Sequence, residues 1–424
     1  MSNRAKRLLP LGALAATAVL AASAFGGPAQ ASPAYASDLL LSSPAEAYGA
    51  ARFWLDANGA AMRKAQEYVW DAKDVTKLVR SSGDVTDGKP GMIGPKPATT
   101  AKVKNVNLPR TIGKVFFVDH KGEYRWCSGA SVQSRYGNLV ATAGHCVYDM
   151  EGNKDVLDRW VFVPSYYQGK APYGIYVGKQ AVTSYALDVY EDYDQDYAFV
   201  AVYNGFSEIG AKDVDRKDYS EWNGVKRSYS EEIIDIPGGK TAQEQYNEGA
   251  AKYPGDYWTK GSAYYRNRYI VGAAKDTGSL ASAVGALGFA WNQKIGEPVI
   301  AFGYPGSPHP DGDKPFTGVT PKFCTGKPLA KTYKISDYKV ADHVALKCAM
   351  TGGADGGPWV IRYDNTKRYG YINGVTSVFH DQDANNRVDH ISSPYFDGET
   401  HGVYSKANGI QSSRIVGDKG QLLK

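Results

Sequence analysis

Three short runs carry residue types that could do chemistry together. Val140-Ala141-Thr142-Ala143-Gly144-His145-Cys146 reads as a buried strand ending in a histidine, the side chain best suited to moving a proton near neutral pH. Asp194-Gln195-Asp196-Tyr197-Ala198-Phe199-Val200 brings an aspartate to the mouth of an apolar strand, where a carboxylate could orient such a histidine. Met350-Thr351-Gly352-Gly353-Ala354-Asp355-Gly356-Gly357-Pro358-Trp359 packs glycines closely enough for the backbone to turn sharply and aim N–H groups at an oxyanion. Each run also has a bland reading. A histidine after a strand is more often structural than catalytic, and the aspartate could be an edge charge.

Taken together and in this order, the runs resemble the trypsin-like (chymotrypsin-fold) serine peptidases, particularly their secreted bacterial branch. The likeness spans residues 111–408. Thr142 to Cys146 matches the family's catalytic-histidine motif, Asp196 takes the place of the orienting aspartate, and Thr351 to Trp359 matches the nucleophile loop. The resemblance implies an all-β fold of two antiparallel six-stranded barrels with the site in the cleft between them. It implies that the N–H groups of Gly353 and Asp355 form the oxyanion hole and that a Cys127–Cys146 disulfide braces the histidine loop. Ala349 would lie near the base of the primary specificity pocket, where an uncharged residue argues against a strong Arg or Lys preference. Gly374-Val375-Thr376-Ser377 would be the strand along which substrate pairs. His380 invites a Glu-specificity reading, but a surface histidine explains it.

The departure is Asp355, which stands where the family has its serine. A carboxylate has no hydroxyl proton to give up and is a poor nucleophile toward amides. It could instead fold inward and accept the N–H bonds meant for an oxyanion. His145 would then sit between Asp196 and Asp355, which favours the imidazolium and removes the general base. A second departure is Ala354, where trypsin has the aspartate that pairs with a new N-terminus. The run Arg110-Thr111-Ile112-Gly113-Lys114 also lacks the Ile-Val-Gly-Gly start, so cleavage after Arg110 would not switch the site by that route. The expectation is a proteolytically inactive serine endopeptidase homologue acting as a binding pseudoprotease for a peptide or protein ligand. The alternatives are an active secreted hydrolase, one with altered chemistry included, or a scaffold whose function lies in an insertion.

These residues need β elements to hold them, and the chain supplies them. Ile112–Val118, Tyr124–Val132, Leu139–Thr142, Trp160–Val163, Tyr197–Tyr203, Val299–Tyr304, Pro358–Tyr363 and Tyr371–Phe379 read as short strands between turn residues. Residues 204–281, rich in Tyr, Lys, Asp and Glu with a poor strand signal, read as an insertion in a main domain of residues 111–424. Within it Tyr264 to Tyr269 mixes aromatic and basic groups and reads as a surface hairpin. Residues 32–110 read as a propeptide-like region or a small appended domain, with one amphipathic helix over Ala60–Val79, carrying Met62, Ala65, Val69, Trp70 and Val75, and a linker over Ser81–Asn105.

The composition agrees with a folded, turn-rich β protein. The chain has 424 residues, 43% hydrophobic and 12% aromatic, with 47 Gly, 21 Pro and 31 Tyr. Forty-nine Lys and Arg against 44 Asp and Glu give a net +5, too mild a balance for a nucleic-acid or polybasic membrane partner. Residues 1–31 have a positive start, an apolar middle and Ala29-Gln30-Ala31, the pattern of a secretory signal peptide; a membrane anchor is the competing reading. The mature chain is expected to be secreted, soluble and monomeric.

Four cysteines in an exported chain favour two disulfides, and of three connectivities we take the local one, Cys127 with Cys146 and Cys324 with Cys348. No CxxC pair points to zinc. Asp381-x-Asp383-x-Asn385 opens like a calcium loop, but Asn386 replaces the required Gly and no Glu follows at the twelfth position. No metal or cofactor is called for.

Overall fold

Ser43 starts the first helix by a reciprocal capping box with Glu46, and Pro44 occupies the first turn, where its missing N–H costs nothing. The computed structural model describes residues 34–69, 76–81, 86–100, 109–152, 156–222, 225–236, 239–411, 413–418 and 422–423. The expected signal segment 1–31 lies outside the described residues. Strand β1 (Tyr35–Leu39) precedes helix α1 (Pro44–Lys64), whose Ala47, Ala50, Ala51, Trp54, Ala61 and Met62 form one buried face.

The helix expected over residues 60–79 is therefore displaced towards the amino terminus. It stops at Lys64 because Gln66–Glu67 (β2) leaves to pair, in parallel, with Arg125 and Trp126. Trp70 and Val75, counted for that helix, lie outside the described residues. The described part of the expected linker, Ser81 and residues 86–100, is also structured, as is the chain just before it. Val79–Arg80 (β3) pairs with Tyr333 and Lys334, Gly91–Ile93 (β4) pairs with residues 289–291, and Lys96 and Ala286 exchange backbone hydrogen bonds. Backbone pairing with distant strands is invisible to a local reading of Gly, Pro and Lys.

The first barrel consists of β5 (Ile112–Val118), β6 (Tyr124–Val132), β7 (Leu139–Thr142), β8 (Asp158–Pro164), β9 (Tyr176–Ser184) and β10 (Ala198–Val202). They pair in the order β9-β10-β7-β6-β5-β8, and β8 returns to β9 through Val161 with Val177 and Phe162 with Tyr176, which closes the ring. Alternation along β5 sends Val115 and Phe117 into one core, with Cys127 and Val140. Ile112 and Phe116 point into the other, beneath Trp54 of α1. Both faces of the strand are covered, which is why it reads as a continuous apolar run.

Residues 204–281 are better ordered into strands than their sequence implied. β11 (Gly205–Val214), β12 (Val225–Ile233), β13 (Tyr257–Lys260) and β14 (Ala263–Gly278) form a four-stranded antiparallel sheet with β14 at its centre. Its described side chains are mostly exposed or half-buried, so no apolar alternation marks the strands. Tyr264 to Tyr269 lies on β14, in a hairpin with β13 turned at Gly261, where φ is +62°.

The second half contains β15 (Gly288–Trp291), β16 (Val299–Gly303), β17 (Lys322–Gly326), β18 (Thr332–Ile335), β19 (Val340–Lys347), β20 (Pro358–Asp364), β21 (Tyr369–Val375), β22 (Val378–His380) and β23 (His390–Ser393). They form a six-stranded sheet, β17-β16-β20-β21-β15-β4, and a five-stranded one, β22-β23-β19-β18-β3. Ala301, Trp359 and Ile361 of the first sheet share one core with Leu346 and Ile391 of the second, so the two sheets act as a second barrel. The expected strand Tyr371–Phe379 divides because the chain changes sheets: Thr376 N–H bonds Gly357 and Ser377 N–H bonds Ser392. Both expected disulfides are present, Cys127–Cys146 and Cys324–Cys348. No described helix is long and apolar enough to cross a membrane. The architecture is the two-barrel chymotrypsin-like fold.

Candidate active site

His145 sits on a single 3-10 turn, Gly144–Cys146, directly after β7. The turn is possible because residue 144 is glycine: a Cβ there would lie 2.0 Å from Leu187 Cδ2 and 3.2 Å from Asp196 Oδ1. Asp196 precedes β10, the neighbour of β7, so sheet pairing brings histidine and aspartate together. His145 Nδ1 lies 2.7 Å from Asp196 Oδ2, and the His145 backbone N–H donates to Asp196 Oδ1 at 2.9 Å. The Ser377 hydroxyl donates to Asp196 Oδ2 at 2.5 Å.

The loop carrying Asp355 is clamped to the first barrel. Ser128 N–H donates to Asp355 O at 2.7 Å and Ser128 Oγ donates to Gly353 O at 2.8 Å. Gly356 has φ +73° and no room for a Cβ, which would meet Thr142 Oγ1 at 2.0 Å. The Asp355 side chain folds inward. Its Oδ2 accepts the Gly353 N–H at 2.8 Å, while Oδ1 lies 3.5 Å from His145 Nε2, a charge contact longer than a hydrogen bond. The donor expected to serve an oxyanion is already satisfied by a resident anion.

Electrostatics follow from this placement. Burial opposes a charge on His145, but the Asp196 carboxylate, its hydrogen bond and the Asp355 carboxylate outweigh burial and raise the imidazole to about 10. Burial pushes Asp196 upward, yet the His145 charge and ring N–H, the Ser377 hydroxyl and the His145 backbone N–H hold it below the usual aspartate range.

The site is covered. His145 is 0% exposed and Asp355 5% exposed. The Tyr68 ring lies 6.3 Å from the imidazole at 32°, and the Tyr193 ring lies 6.2 Å away at 26°. Tyr68 N–H donates to Trp126 O at 2.9 Å, continuing the pairing of β2 with β6. Val69 packs on the nucleophile loop, its Cγ2 2.6 Å from where a Gly352 Cβ would be.

Of the other expected site residues, Ser377 reaches the His145–Asp196 pair. Ala349 is exposed, which does not suit the floor of an enclosed pocket. Gly374, Val375 and Thr376 have their backbones engaged with β20 and the nucleophile loop, the Ser377 N–H donates to Ser392 O, and the Ser377 hydroxyl donates to Asp196. The edge strand beside it is β22. His380, expected at the surface, is fully buried, with Nδ1 3.0 Å from Thr76 O and Nε2 2.7 Å from Ser392 Oγ. His343 Nδ1 meets the same Ser392 hydroxyl at 3.0 Å. Burial drives both imidazoles down, His380 to about 3 and His343 to about 4. Asp381, Asp383 and Asp389 converge, but Asp381 is buried and accepts the N–H groups of Asn385 and Asn386.

Sequence reasoning missed Tyr68, Ser128 and Tyr193, none of which carries a motif. It also missed Lys114, whose Nζ lies 3.5 Å from the centre of the Trp126 ring. Burial drives that amine well below the usual lysine range, with Glu67 of β2 partly opposing.

Among solved structures, the chain is similar to the protease Anisep from Arthrobacter nicotinovorans at 22% identity, covering 74% of this chain and 100% of that one with a TM-score of 0.46. It is similar to AL20, a thermostable serine protease from an extremophilic microorganism, at 24% identity over 71% and 97% of the two chains, TM-score 0.44. A Glu endopeptidase structure matches at 11% identity over 75% and 98%, TM-score 0.40. No protein-family model matches the sequence, and no curated protein matches it.

Proposed function

We propose that this chain is a pseudoprotease: a serine-endopeptidase scaffold that binds a peptide or protein ligand and does not cleave it. The observation that carries the reading is the Asp355 carboxylate accepting the Gly353 N–H at 2.8 Å, so the group in the nucleophile's place fills the oxyanion's place as well. An imidazole raised to about 10 is protonated at neutral pH and cannot accept the proton that an attacking hydroxyl or water would release. Both requirements of acyl transfer, a nucleophile with a base and an empty oxyanion hole, are missing together.

We also read the chain as secreted. The two disulfides suit an oxidising compartment, and residues 1–31 have the composition of an export signal. The mature chain would then act outside the cell, in contact with peptides and protein surfaces.

The test uses the full chain with a fluorophosphonate probe and a mixed peptide library. No covalent adduct and no cleavage are expected between pH 6 and 9. An adduct or a cleavage that disappears on His145→Ala substitution would overturn the reading.

A further inference from the structure

The cleft already holds a peptide, and the peptide belongs to the chain. Gln66–Glu67 adds to the edge of β6 in parallel, opposite Arg125 and Trp126, and Tyr68 N–H extends the pairing to Trp126 O. Each side chain of this short run has its own receptor. Arg125 Nη1 reaches Gln66 Oε1 at 3.4 Å, and Lys314 Nζ pairs with Glu67 Oε1 at 3.1 Å. Tyr68, 2% exposed, stacks edge-on against Phe117 at 5.0 Å and lies over His145. Val69 rests on Gly352. Further along, Thr76 bridges to His380 on β22, and β3 pairs with β18. One stretch of chain thus touches the first barrel at Trp126 and the second half at His380 and Tyr333.

We propose that the groove between the two halves is a strand-addition site for an extended peptide in which a carboxylate directly precedes a tyrosine, and that residues 66–69 are its resident competitor. The proposal rests on the binding role given to the cleft above and names the ligand's chemistry. In strand addition, backbone bonds supply affinity and side-chain pockets supply selection. Here the selective positions are the Lys314 ammonium, which takes the acidic side chain, and the pocket walled by Phe117 and His145, which takes the ring. Among the described residues the Tyr68 hydroxyl has no hydrogen-bond partner, so the pocket holds the residue by its ring. Tethering favours the resident: a segment on the same chain competes at an effective concentration in the millimolar range, so a free ligand enters only when the segment is loosened.

The test measures fluorescence anisotropy of a labelled, end-capped peptide containing Gln-Glu-Tyr-Val, titrated with full-length protein. Loosening the segment by Tyr68→Ala is expected to tighten peptide binding roughly 10²-fold over the unsubstituted chain. Tyr68→Phe, which keeps the ring, is expected to behave like the unsubstituted chain. A peptide with Lys in place of Glu is expected to lose binding to the loosened chain. Because Tyr68→Ala removes a buried ring, Glu67→Arg serves as a second loosened variant that leaves the ring in place, and a thermal melt verifies folding of both.

Failure of both folded variants to bind, or equal binding by the unsubstituted chain, would overturn the proposal. Cleavage of the bound peptide would sink the pseudoprotease reading and leave the groove assignment standing. Absence of binding without cleavage would sink the groove assignment alone.

Discussion

Asp355→Ser, placed in a chain loosened by Tyr68→Ala, is expected to hydrolyse activated esters and peptides at least about 10³-fold faster than the loosened chain that keeps Asp355. The substitution changes three things at once. It supplies a hydroxyl, frees the Gly353 N–H from the carboxylate that now accepts it at 2.8 Å, and removes one of the two anions raising His145. The rest of the machinery is present, with Asp196 Oδ2 2.7 Å from His145 Nδ1. Asp355→Ser alone should gain far less, because Tyr68 and Val69 still cover a His145 that is 0% exposed. The measurement is kcat/KM on an activated ester, with mass spectrometry of the acyl adduct. No adduct in the double variant would show that the nucleophile loop, and not only its residue, has lost its function.

The second large effect is on stability. Asp196→Asn is expected to cost about 3 kcal/mol at pH 7, near the lower end for breaking a buried ion pair, because His145 can escape part of the penalty by losing its proton. Asp196 receives three donors, the His145 ring and backbone N–H groups and the Ser377 hydroxyl, and an amide NH₂ in that place would face donors. Asp355→Asn should cost no more than about 1 kcal/mol, since an amide oxygen can still accept the Gly353 N–H.

The pH dependence follows from the directions of shift. His145, raised to about 10, contributes stability that is full below its unfolded value near ~6.5 and is lost as pH rises through about 10. Asp196, lowered, contributes stability present above the ordinary aspartate range near ~3.8 and lost as pH falls through its folded value. Urea midpoints should therefore peak at mildly acidic pH and decline towards pH 10, and Asp196→Asn should flatten that decline.

What could be read from sequence was what local pattern encodes. His145 was legible because an apolar strand precedes it and Gly144 sits where a Cβ would collide, Asp196 because an apolar strand follows it, and Asp355 because Gly353 and Gly356 flank it where a Cβ would collide. β5 to β7 were legible for the same reason, since their burial is nearly complete. Helix α1 was misplaced because the apolar positions at Met62 and Ala65 continue into Val69, and nothing local shows that residues 66–67 pair with β6. The sheet over residues 205–278 was hidden because its side chains are mostly exposed or half-buried, which leaves no buried apolar face to set an alternation. The cover over the site escaped notice because Tyr68 matters through Trp126 and His145, partners 58 and 77 positions away. His380 was misjudged because burial of a polar histidine depends on Thr76 and Ser392, which only the tertiary fold supplies.

The most direct measurement is an NMR titration of the imidazole nitrogens of His145, assigned among the seven histidines by His145→Gln. The unsubstituted protein should keep His145 as an imidazolium through neutral pH, titrating near 10, and Asp355→Asn should bring it down by about 1 to 3 units. A His145 that titrates near ~6.5 in the unsubstituted protein would mean that a general base is available, and the account of a disarmed site would be wrong.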